Sequence, residues 1–143
     1  MAREGKGKHY IKNYGLATMS SYSNYPPALL KAMHVKSLIG RGGEIPEEDI
    51  SVAAFELESG AYYGAHAHPW PETYIIMSGT AECEWGDEKF TVEAGTVTHC
   101  PPNTSHAMRV TSDEPLTAII VAWAPGGRRE VWEAESVMLG TEG

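Results

Sequence analysis

From Ile50 onward the chain repeats one rhythm: short runs in which apolar and polar residues alternate, each closed by Gly, Pro, Asn or Asp. A period of two marks a strand with one buried face. The runs are Ser51–Leu57, Tyr62–His66, Glu72–Met77, Ala81–Trp85, Lys89–Val92, Thr96–Cys100, His106–Val110 and Leu116–Trp123. Turn signals separate them, among them Glu58-Ser59-Gly60, Pro69-Trp70-Pro71, Ser78-Gly79, Ala94-Gly95 and Pro101-Pro102-Asn103. Trp85-Gly86-Asp87-Glu88 reads as a tight hairpin. Short strands at roughly 8–12-residue spacing predict an all-β sandwich or barrel with no edges left open.

The flanks are less regular. Residues 1–27 show little periodicity and read as the start of an irregular N-terminal arm extending to about residue 43. Within Ala28–Ile39, ALLKAM can turn helically while MHVKSLI alternates; the preferred reading is a strand over Met33–Ile39, closed by Gly40-Arg41-Gly42-Gly43. The barrel core spans about 50–125, and after the Gly126-Gly127 break a last strand is expected near Glu130–Val137. With no internal repeat and no linker, the expectation is one domain over residues 1–143.

Composition narrows the partners. Eleven basic against 19 acidic residues give a net charge of −8, which argues against nucleic acid or an anionic membrane surface. No apolar run approaches the roughly 20 residues of a membrane helix. The basic start MAREGKGKHY is followed by no apolar signal segment, so the expected location is the cytoplasm. Cys83 and Cys100 are too few for a disulfide scaffold and lack C-x-x-C spacing; both are expected reduced and partly buried.

The chemistry concentrates in a histidine–glutamate pattern. His66 and His68 stand two apart, so an extended strand turns both rings to one face. Glu72 follows past a proline corner, and His106, 34 residues beyond Glu72, opens another strand after a second proline corner. Strands lie only about 4.8 Å apart in a sheet, so a barrel can bring these four together. Imidazole and carboxylate donors suit a divalent transition metal (Fe, Mn, Ni, Zn or Cu) rather than calcium. Three imidazoles and one carboxylate would leave open positions on an octahedral ion.

Those residues resemble the cupin superfamily. Gly60, His66, His68, Glu72 and Gly79 fill the family's first motif, G-x5-H-x-H-x3,4-E-x6-G. Gly95, Pro101 and His106 fit the second, G-x5-P-x-G-x2-H-x3-N, with Asn103 in place of its last glycine and Val110 in place of its asparagine. Asn tolerates positive φ better than most residues. The resemblance implies a double-stranded β-helix (jelly-roll) barrel, a metal held by His66, His68, Glu72 and His106, and a homodimer. Small cupins include dioxygenases, isomerases, cyclases and lyases, and fold alone does not choose among them.

Nearby residues bear on the choice. Tyr74 shares strand parity with Glu72, so its phenol is expected near the ion, with a lowered pKa and a role as general acid or base. The chain is similar in ligand spacing to small cupin lyases acting on dimethylsulfoniopropionate, which also carry a tyrosine at the Tyr74 position. That group uses a second, C-terminal tyrosine as base; Trp132 stands at the matching offset here, leaving Tyr62 or Tyr63 as substitutes. His99 is a second candidate for handling the proton. By parity Trp70, Ile76 and Met108 are expected to line a partly apolar pocket with Cys100 nearby, and Arg109 to point outward. Arg41, Arg128 and Arg129 are candidate carboxylate clamps, whereas His9 and His34 read as surface or structural residues.

Two functional classes follow. One is a metal-dependent enzyme acting on a small molecule, with Tyr74 or His99 moving the proton. The other is a non-catalytic cupin that binds or senses a small ligand through the metal.

Overall fold

The computed structural model describes residues 9–11, 13–19, 24–134 and 136–139; the rest of the predicted arm lies outside them. Strands β1 (Ala17–Thr18), β2 (Met33–Gly40), β3 (Ile50–Leu57), β4 (Tyr62–Ala67), β5 (Glu72–Ser78) and β6 (Ala81–Trp85) come first. After them run β7 (Glu88–Val92), β8 (Val97–Cys100), β9 (His106–Val110), β10 (Leu116–Trp123) and β11 (Val137–Met138). One sheet has the order β1-β2-β3-β10-β5-β8 and the other β11-β4-β9-β6-β7. This is the all-β architecture expected from the turn spacing, in the jelly-roll form that the resemblance implies. Among the described residues no strand ladder joins the two sheets, so β8 and β7 remain end strands and side-chain contacts close the barrel.

Alternation decides what faces inward. In β6, Ala81, Cys83 and Trp85 are buried while Glu82 and Glu84 are exposed. Phe55, Leu57, Tyr74, Ile76 and Leu116 of the first sheet meet Tyr63, Cys83, Trp85, Met108 and Val110 of the second in one core. Fully burying side chains of this size is worth roughly 1.5–3 kcal/mol each. The turns need their special residues. Gly79 has φ 80°, and a Cβ there would meet the Pro115 carbonyl oxygen at 2.6 Å. Asn103 adopts φ 60°, the left-handed conformation its motif position demands, and its N–H donates to the His68 carbonyl at 2.7 Å.

Two flanking expectations change. The ambiguous segment divides into helix α1 (Pro27–Ala32) followed at once by β2, so both readings of it hold in sequence. The strand expected near Glu130–Val137 is instead a 3-10 turn over Arg129–Glu133, with β11 only after it. Its apolar residues, Val131 and Trp132, are adjacent rather than alternating, and the Trp132 indole N–H donates to the Glu48 carbonyl at 2.9 Å. Among the described residues no helix is long and apolar enough to cross a membrane.

Candidate metal centre

His66 lies on β4, His68 just beyond its end, Glu72 at the start of β5 and His106 at the start of β9. The barrel brings one donor atom from each to within 4.8 Å of the others, and none of the four residues is more than 7% exposed. The cluster joins the two sheets, since Glu72 belongs to one and His66 and His106 pair across β4 and β9 in the other.

Backbone carbonyls orient all three rings. Nδ1 of His66 bonds to Gly64 O at 2.7 Å, that of His68 to Trp70 O at 2.7 Å, and that of His106 to Thr104 O at 2.9 Å. A carbonyl only accepts, so each Nδ1 carries the hydrogen and each Nε2 presents its lone pair to the cluster. Nε2 of His68 and of His106 each stand 3.1 Å from Glu72 Oε1, and the buried Nε2 of His66 has no hydrogen-bond partner. Lone pairs facing a carboxylate oxygen at that distance need a positive charge between them. Protons could serve two of the rings, but a single cation satisfies all four donors, so the donor set fits a transition metal.

Without an ion the titrations follow the same contacts. Burial works to raise the Glu72 carboxyl, but hydrogen bonds from His106 and His68 outweigh it and hold the group well below the usual carboxylate range. For His106, burial works to lower the pKa, and hydrogen bonds with Cys100 and Glu72 overcome it to place the ring at about 9. His66, buried and next to His106, falls to about 3.

A cavity of about 440 Å³ opens on the cluster, with His68 and Glu72 in its wall. Trp70 lines it as expected, its indole lying flat on His68 at 4.2 Å. Tyr74 lines it too, two residues along β5 from Glu72 and on the same face. Without an ion, burial, with the Glu72 charge added, pushes its phenol well above the ordinary value; the lowering expected from the sequence belongs to the ion-bound site. Ile76 and Met108 point inward but pack into the core and do not line this cavity. Cys100 also lies outside it, with Sγ 3.2 Å from Nδ1 of His106. His99 stands on the opposite face of β8 from Cys100, exposed and stacked on Trp123 at 5.7 Å, so strand parity removes it from the cluster.

Of the two tyrosines the sequence offered as substitutes, Tyr63 rather than Tyr62 reaches the cluster. Tyr63 pairs with Met108 and His66 with His106, so β4 spends three steps where β9 spends two. The extra residue is a bulge that turns both Tyr63 and His66 inward. Tyr63 stacks on His66 at 3.9 Å and hydrogen-bonds the Tyr25 hydroxyl at 3.0 Å, whereas Tyr62 faces outward under Arg109. The arm and the 3-10 turn supply the cavity mouth, including Arg41 and Trp132. Arg128 and Arg129 are exposed surface residues, the latter paired with Glu48 and Asp49.

Residues 53–122, which hold all four cluster residues and Tyr74, match the cupin domain family. The barrel is a cupin domain. An 85-residue stretch of this cupin is 32% identical to dimethylsulfoniopropionate lyase DddQ of Ruegeria pomeroyi, covering 59% of this chain and 42% of that protein. The crystal structure of the same organism's DddQ superposes with a TM-score of 0.73 at 24% identity, covering 91% of this chain and 63% of the other. The chain thus spans less than two thirds of the length of these relatives. The polyketide cyclase RemF of Streptomyces resistomycificus shares the fold at a TM-score of 0.69 and 14% identity, covering 99% of this cupin and 87% of RemF.

Proposed function

We propose that this cupin is a metal-dependent enzyme that moves a proton on a small organic acid, in an elimination or isomerisation, with Tyr74 as the residue that holds the proton. The observation that carries the reading is the convergence of three carbonyl-oriented Nε2 lone pairs and Glu72 beside a buried phenol that opens on the cavity. A bound ion supplies Lewis-acid polarisation of a carboxylate or carbonyl. Tyr74, buried in the cavity wall beside Glu72, is placed to donate its hydrogen to oxygen as negative charge develops there. Trp70 and Phe55 exclude water from the same space, and Ser37, Ser51 and Ser136 add polar groups to its wall. The similarity to dimethylsulfoniopropionate lyases supports elimination as the first chemistry to assay.

The test pairs metal analysis with turnover. His106→Ala is expected to lose the metal. Tyr74→Phe is expected to keep it and lose about 10²–10⁴-fold in rate, read as unsaturated acid formed from a panel of small acids. A Tyr74→Phe protein as active as the wild type overturns the assignment, and oxygen consumption in place of elimination redirects it to a dioxygenase.

A homodimer forms part of the proposal. The outer face of the six-stranded sheet carries Val52, Ile75, Met77, Val97, Ile119 and Val121, an apolar patch that a second copy of the chain would cover.

A further inference from the structure

We propose that Arg41 makes the cavity selective for acids that carry a second anionic group, and against acids with a cationic tail. The inference deepens the reading above, on which it rests, and names the substrate class. Arg41 follows directly on β2 and lines the cavity mouth. Its guanidinium carbon lies 4.8 Å from the Trp70 ring centre and 5.5 Å from that of Trp132, and Nη2 donates to the Trp132 carbonyl at 2.8 Å. Both indoles are anchored, Trp70 on the His68 ring and Trp132 through its N–H to Glu48 O. The side chain is exposed at the mouth, but these three contacts hold its guanidinium in one place.

That charge has no acidic partner among the described residues. Glu47, Glu48 and Asp49 share an adjoining surface depression with Arg41, yet Glu48 and Asp49 pair with Arg129 instead. Among the described residues lining the cavity, Arg41 is the one permanent cation. Only one of its five N–H donors goes to Trp132, so donors remain for a carboxylate or phosphate of a ligand, where a bidentate charge-assisted pair is the strong geometry.

The same placement disfavours a cation. Aromatic faces attract cationic groups, but the guanidinium already occupies those of Trp70 and Trp132. A sulfonium or ammonium tail reaching the mouth would meet like charge. A short acid with one anionic group at the cluster and a second at Arg41 satisfies both ends of a cavity of about 440 Å³. On this account dimethylsulfoniopropionate is a poor ligand despite the similarity of the chain to its lyases.

Calorimetric titration of zinc-loaded protein with propionate, malonate, succinate, glutarate and 3-(trimethylammonio)propionate tests this without turnover. Zinc content is measured first on the same sample, so failure of the metal centre is read separately; a sample without zinc is titrated as purified. At least one diacid is expected to bind about tenfold or more tighter than propionate, and the ammonium acid more weakly. Arg41→Gln is expected to abolish the diacid preference and improve the ammonium acid, with Arg41→Lys intermediate because it keeps charge without the fork. The proposal is overturned by a diacid preference that survives Arg41→Gln, by tighter binding of the ammonium acid to wild type, or by no measurable diacid binding. Loss of turnover alone, with the Arg41-dependent preference intact, sinks the enzyme assignment and leaves this one standing.

Discussion

Cys100 Sγ rests 3.2 Å from Nδ1 of His106, on the side of the imidazole away from Glu72, so the thiol supports the ring from behind. Thr104 O shares that nitrogen at 2.9 Å. The two contacts together set how His106 faces the cluster, although the cysteine itself never enters the cavity.

Removing the sulfur should loosen the centre without emptying it. Groups that orient a metal ligand typically contribute 10–100-fold in affinity. Because Thr104 O remains, Cys100→Ala is expected at the lower end, about tenfold weaker for zinc by chelator competition. A shift in the visible spectrum of the cobalt-loaded variant would show the altered ring. Unchanged affinity and spectrum would confine Cys100 to packing.

Metal loading should release a proton. At pH 7.5 His106, at about 9, is protonated, while His66, at about 3, is neutral and Glu72 is ionised. The ion must displace the His106 proton, so about one proton per metal leaves, measurable from the buffer dependence of the binding enthalpy. Metal-free stability has a matching profile. The His106 contribution is complete below the ordinary value of 6.5 and disappears as pH rises towards about 9. His66, which stays neutral when folded, destabilises the protein as pH falls from 6.5 towards 3, and Glu72 adds to that loss below 4.5. Melting temperature should therefore peak near pH 6.5 and fall on both sides.

Gly79→Ala should destabilise the fold. The new Cβ would lie 2.6 Å from Pro115 O and 2.7 Å from Leu116 Cα, in a left-handed conformation that is itself strained. A left-handed non-glycine residue costs of order 1–3 kcal/mol, and the backbone clash adds to it. Thermal denaturation should show a lower midpoint. Gly60→Ala, with no atom within 4 Å of its Cβ, isolates the conformational part alone.

Val97→Lys tests the dimer. Val97 is 63% exposed on the end strand β8, where a charge costs the isolated chain little and an apolar interface much. Sedimentation should show a dimer becoming a monomer, with metal content unchanged.

Strand positions were legible because turn residues bracket them: β6, β9 and β10 run over the same residues as the alternation indicates. The four cluster residues were legible because their spacing follows the pleat and two proline corners. Which of Tyr62 and Tyr63 faces inward was left open, because the pleat is interrupted between them and His66. The β4 bulge brought Tyr63 inward, a displacement that no composition signal in Tyr62-Tyr63-Gly64-Ala65 announces except the glycine. His99 was a candidate because it precedes the proline corner before His106, but alternation along β8 turns it to the exposed face. Ile76 and Met108 do face the interior, but alternation says inward without saying which inward residues border a cavity. Arg41 and Trp132 come from opposite ends of the chain, and only tertiary packing places them together at the mouth.

The cluster also has a mechanical meaning. Glu72 belongs to one sheet and the β4 and β9 histidines to the other, and no backbone ladder spans the gap between those sheets. An ion seated there would be a rivet through the barrel, linking layers that otherwise hold mainly by oily contact. Breathing of the two layers apart and escape of the ion then become one event, so amide exchange in β5 and β9 should slow in step with metal occupancy.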